Sequence, residues 1–154
     1  MAEVKERPRA GVAAGYDDDF YHWANHQAAL LRQGRFAELD LSHLIEEIED
    51  MGSEKRRALE SSYRLLIFHL LKWRHQPTRR SRSWALTIVR ERGNIEDLSI
   101  ENPSLAAASE KLVEKVYDRA RRETATETGL ELETFPETCP FTLAQLRDDE
   151  FLPD

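Results

Sequence analysis

One cysteine, two methionines, six glycines and six prolines in 154 residues leave little material for several classes of protein. Cys139 has no second thiol to pair with, which excludes an internal disulfide scaffold and fits a reducing compartment, so a cytoplasmic address is expected. So few glycines and prolines exclude collagen-like and linker-like chains and disfavour turn-dense β-sandwiches. Long apolar runs are also missing. LLIFHLL, from Leu65 to Leu71, is interrupted by His69 and falls far short of the ~20 residues a bilayer span requires, so no membrane segment is expected. The opening MAEVKERPRAGVAAG scatters charge along its length and lacks the apolar centre of a secretory signal. It reads as a flexible lead-in over residues 1–15, with residues 16–154 forming a single helical domain.

What is present is charge and helical periodicity: 33% charged and 40% hydrophobic residues, the latter recurring at helical spacing. From Asp18 to Gln33, the residues Phe20, Trp23, Ala24, Leu30 and Leu31 mark one stripe, ended by Gly34. From Asp40 to Met51, the residues Leu41, Leu44, Ile45, Ile48 and Met51 mark a second, ended by a turn at Gly52. A third helix is predicted from Ser53, as N-cap, to Gln76, where Pro77 forbids continuation. Its second half is apolar nearly all round, as a central helix should be. The fourth starts at Ser81 and keeps its phase through Trp84, Thr87, Ile88, Ile95 and Leu98, which predicts one helix across Gly93 and Asn94. A fifth runs from Asn102 as N-cap, with Pro103 in first position, towards Gly129. In the tail, Thr142 with Gln145 matches a capping box and Phe141 with Leu146 a hydrophobic staple. The expected fold is all-α: an up-and-down bundle of five main helices with a packed, partly helical C-terminal tail.

Charge is segregated within the formal net of -7. From Arg64 to Arg92 eight basic residues face one acid, Glu91. Alternating helix direction would place Asp17, Asp18 and Asp19 with Glu46, Glu47, Glu49 and Asp50 at the Gly52 end. It would bring the tail acids Glu131, Glu133 and Glu137 onto Arg79, Arg80 and Arg82. Lys55, Arg56 and Arg57 would then serve the Glu46 to Asp50 ridge.

Few residues qualify for chemistry. His22 and His26, with Asp19, have metal-ligand spacing but lie off the apolar stripe and lack a fourth ligand. His43, Glu46, Glu49 and Asp50 form a ridge on which carboxylates could hold Mg²⁺ or Mn²⁺, but no second acidic motif accompanies it and a charged outer face explains it better. His69, among inward-pointing Leu66, Leu70 and Trp73, needs hydrogen-bond partners whether it is a core residue or a base. Cys139 has no nucleophile signature around it. The stretch LLKWRHQPTRRSRSW combines Lys72, Arg74, Arg79, Arg80 and Arg82 with Trp73 and Trp84, the ingredients of a phosphate-contacting, base-stacking surface.

Three separated segments, YDDDFYHWANHQAALLRQGRFAELDLSHLIEEIEDMG, HLLKWRHQPTRRSRSW and ETGLELETFPETCPFTLAQLRDDEFLP, together resemble the bacterial domain-of-unknown-function family twenty-nine over about residues 16 to 153. The resemblance implies a compact all-helical bacterial protein without an established biochemical role, and it supplies no catalytic residues. The family pattern takes in Glu46, Glu47, Glu49, Asp50, His69, Lys72, Trp73, Gln76, Pro77, Arg80, Ser81, Arg82 and Trp84. His22 and His26 fall outside it, and Gly93 and Asn94 depart from it.

The chain therefore reads as a non-enzymatic interaction or regulatory module that binds a protein partner or itself as a homo-oligomer, with no metal or cofactor. The candidate interaction surface is Lys72, Trp73, Arg74, Gln76, Arg79, Arg80, Arg82 and Trp84, and the candidate polar site is Glu46, Glu49, Asp50 and His69. The alternative is a nucleic-acid-binding protein using the 72–84 segment. A third is a metal-dependent hydrolase using the second helix's carboxylates.

Overall fold

The computed structural model describes residues 15–154. The lead-in expected over 1–15 lies, apart from Gly15, outside the described residues. Six α-helices and three single 3₁₀ turns make up the fold, with no strand among the described residues. No helix among them is long and apolar enough to cross a membrane. The chain divides into two compact units, one ending at Met51 and the other spanning Gly52–Asp154.

In the first unit, α1 (Phe20–Arg32) starts where the Asp19 carboxylate accepts the His22 amide at 2.9 Å. It ends before Gly34, whose φ of 69° is the left-handed conformation glycine adopts without strain. A 3₁₀ turn at Phe36–Glu38 leads into α2, Leu41–His75. Here the expectation of a turn at Gly52 is overturned, because the second and third predicted helices are one. A helical glycine costs only about 1 kcal/mol relative to alanine, which the strong helix formers on either side outweigh.

In the second unit, α2 continues to His75, where Pro77 ends it as expected. The chain turns through Pro77–Arg79 into α3, Arg82–Glu101, capped by Ser81, whose hydroxyl accepts the Trp84 amide at 3.3 Å. This helix does run through Gly93 and Asn94. The predicted fifth helix is two: α4, Pro103–Ala107, and α5, Ser109–Thr128, parted at Ala108. Asn102 stands at the N-cap of α4 with Pro103 after it, as expected, and its backbone carbonyl accepts from Leu105 and Ala106, but its side-chain amide makes no capping bond and donates backwards to the Leu98 carbonyl at 2.9 Å, closing α3. Gly129, with φ 70°, ends α5. The last helix, α6 (Leu143–Arg147), carries both bonds of the Thr142–Gln145 capping box.

The core of this unit is built on α2, where Leu59, Tyr63, Leu66, Ile67, Leu70 and Leu71 are all fully buried. Each such side chain contributes about 1.5–3 kcal/mol through burial. Ile88 and Ile95 of α3, Leu112, Val116 and Ala120 of α5, and Phe135, Phe141 and Leu146 of the tail complete it. α2 and α5 are laced by ion pairs whose numbers rise together, Glu60 with Lys115 at 2.7 Å, Arg64 with Glu123, and Lys72 with Glu127 at 3.0 Å. The two helices therefore run parallel, and α5 ends beside the basic turn.

The tail is held by its backbone rather than by its acids. Arg92, 3% exposed, donates to the carbonyls of Gln145 (3.2 Å), Leu146 (3.0 Å) and Phe151 (2.8 Å). Arg121 donates to Leu132 and Phe135, Arg80 to Pro153, and Tyr117 to Pro136. This corrects the expected pairing of Glu131, Glu133 and Glu137 with Arg79, Arg80 and Arg82, since none of those acids makes an ion pair among the described residues. Lys55 and Arg56 likewise pair with Glu101 and Glu60 rather than with the Glu46 to Asp50 ridge.

Candidate interaction surface

The basic turn is partly self-satisfied. Lys72 is 5% exposed, with its ammonium 4.3 Å from the Trp84 ring centre and 4.9 Å from that of Phe68, and it donates to Glu127. Arg80 lies over the Trp73 ring at 5.3 Å and donates to the Trp73 carbonyl at 2.9 Å. Both tryptophans are half-buried, and each already carries a cation of this chain on its ring. Gln76 is half-buried and precedes the Pro77–Arg79 turn, its backbone carbonyl accepting from Arg79 at 2.9 Å. Arg74, Arg79 and Arg82 are exposed and make no ion pair among the described residues. The predicted surface thus resolves into three free arginines beside two occupied rings.

His69 is half-buried and hydrogen-bonded to its own helix. A carbonyl only accepts, so the 2.9 Å contact with the Leu65 carbonyl places the proton on Nδ1. Burial lowers its pKa, only partly opposed by that bond, and keeps the ring neutral. Glu46, Glu49 and Asp50 are exposed residues of the first unit, whereas His69 belongs to the second. Among the described residues no group of three or more His, Cys, Asp or Glu side chains is arranged to hold a metal. His22 and His26 stack at 6.5 Å on an exposed face. Cys139 is half-buried, and burial raises its pKa, leaving a protonated thiol.

The first unit holds what residue patterns missed. Asp40 is a hub: its carboxylate accepts from Trp23 Nε1 at 3.0 Å and from His43 Nδ1 at 2.7 Å, and its amide donates to the Gln27 side chain at 2.8 Å. The His43 bond, above all, lowers the Asp40 pKa, and the same bond raises that of His43. Tyr16 stacks on His43 at 4.1 Å and donates to Glu47, which pushes its pKa up to about 12. The signal was present in the aromatic residues around an aspartate that precedes a helix, but nothing in their spacing says that they converge.

This hub fixes the start of α2, and the stripe that follows is not buried. Leu41 is 58% exposed, Ile45 54%, Ile48 66% and Met51 66%. A helix with this periodicity ordinarily turns its stripe inward, and this one leaves it exposed. Leu31 and Phe36 of the same unit are also exposed. Residues 15–51 carry nine acidic and two basic side chains, with Glu47 and Glu49 bordering the stripe by helical angle and Glu46 and Asp50 on the face opposite.

A family model, Domain of unknown function DUF29, matches residues 16–152, and the chain belongs to that family. No curated protein and no solved structure matches it.

Proposed function

We propose that this DUF29 member is a protein-interaction module of the cytoplasm, and that its docking surface is the stripe of Leu41, Ile45, Ile48 and Met51 along the start of α2. One observation carries this reading: four large apolar side chains in helical register, each more than half exposed. Leaving such a stripe in water forgoes roughly 25 cal/mol per Å² that a partner would recover, and contiguous apolar surface of this kind marks interaction sites. The acidic flanks define the partner's chemistry as an amphipathic segment with lysine or arginine beside its apolar face. The same charge repels nucleic acid and anionic lipid from this surface.

The test begins with a protein that co-purifies with the chain and is then titrated as a pure component. Binding should weaken about tenfold or more in the Ile45→Ser/Ile48→Ser variant and should also weaken with added salt. Equal affinity of wild type and variant would refute the assignment.

A second reading rests on exposed Arg74, Arg79 and Arg82, which could contact the phosphates of a nucleic acid. The cations already lying over Trp73 and Trp84 weigh against base stacking there, and so does the net charge of -7.

A further inference from the structure

We propose that the outward face of α3 binds a second copy of the chain, two α3 helices crossing antiparallel about a two-fold axis at Gly93. This face is distinct from the α2 stripe, and the inference stands whether or not that stripe docks a partner.

Leu86 and Ile100, 63% and 70% exposed, lie seven residues before and seven after Gly93, about two turns in each direction. Pairing about Gly93 therefore sets each Leu86 against the partner's Ile100. Arg90 and Asp97 lie three residues before and four after the same glycine, on one flank of the face by helical angle. In the antiparallel arrangement Arg90 of one copy meets Asp97 of the other, twice per dimer. In a parallel pair the flank bearing Arg90 and Asp97 would fall on opposite sides of the seam in the two copies and neither charge would meet the other, so only the antiparallel form pairs them. Asp97 is exposed and makes no ion pair among the described residues, whereas Arg90 reaches only its neighbour Glu91, at 2.9 Å, with its side chain 64% exposed.

Gly93 supplies the crossing point. Glycine is the least favourable residue inside a helix after proline. Nothing among the described residues demands it here, because its φ is not positive and a Cβ would meet none of their atoms within 4 Å. A missing side chain on an exposed helical face does allow another backbone to approach closely. Two such helices, with Val89 (63% exposed) beside the crossing, form a self-complementary, isologous contact.

Sedimentation velocity of the purified full chain across micromolar concentrations tests the proposal, with circular dichroism verifying that each variant remains helical. The wild type should sediment as a concentration-dependent dimer. Arg90→Asp and Asp97→Arg should each raise the dimer Kd roughly tenfold or more, and combining them should restore it. Gly93→Glu should leave a helical monomer. A wild type that stays monomeric up to about 1 mM would overturn the proposal. So would a dimer unmoved by Gly93→Glu, or a double variant no better than either single.

Discussion

Arg92 Nη2 donates to the carbonyl of Phe151 across 2.8 Å, although the two residues are far apart in the chain. The guanidinium lies buried in α3 and has no carboxylate partner among the described residues, because backbone oxygens of the tail take its place. One planar group with five donors can satisfy several carbonyls at once, where a carboxylate would accept from the arginine but leave the tail backbone unpaired.

Arg92→Met should accordingly cost about 3 kcal/mol in urea denaturation, since several backbone carbonyls lose their donor at once. Arg80→Ala, at the exposed end of the same tail, should cost about 1 kcal/mol or less. Equal losses would mean that the tail is held chiefly by its apolar contacts.

Stability should also separate the two halves of α2. Ile48→Ser should shift unfolding by no more than about 0.5 kcal/mol, because the side chain is 66% exposed. Leu66→Ala, fully buried, should cost about 2–5 kcal/mol. A large loss at Ile48 would show that the chain itself covers the stripe.

Two histidines should titrate on opposite sides of the ordinary value of about 6.5. The bond to Asp40 raises the His43 pKa, so the stability it contributes is complete below the unfolded value and lost as pH rises through the folded one. Burial lowers that of His69, so its contribution is complete above the unfolded value and lost as pH falls through the folded one. Imidazole NMR titration reads both, and coincident midpoints would contradict the two environments.

Oligonucleotide titration followed by tryptophan fluorescence addresses the basic turn. With Lys72 over Trp84 and Arg80 over Trp73, added single strand should leave the emission unchanged. Quenching, with a salt slope of about -2 for the roughly three phosphates that Arg74, Arg79 and Arg82 can contact on a single strand, would make the turn a nucleic-acid site.

Features decided by neighbouring residues were legible in the sequence. The Thr142–Gln145 box, the Ser81 cap and the stop at Pro77 all form as their local chemistry requires. The apolar phase survives Gly93, and α3 runs through it. The same phase passes Gly52, since Ile48 and Leu59 lie about three turns apart on one face of α2. Asn102 shows the limit of a local pattern: it suits a cap on either side, and the structure uses it to close α3. The arginine-to-carbonyl fastening of the tail was not legible, because every residue offers a carbonyl and composition cannot say which ones lie within reach. Nor does an apolar stripe reveal whether its own chain covers it.

The most direct test of the docking surface is site-specific photocrosslinking in the native cell, with the photoreactive residue at Ile48 and, as control, at Glu49. The account predicts one discrete protein adduct from position 48, weak or absent from 49, joined through an apolar segment flanked by lysine or arginine. No adduct from position 48, equal yield from both positions, or attachment through an acidic segment would contradict it.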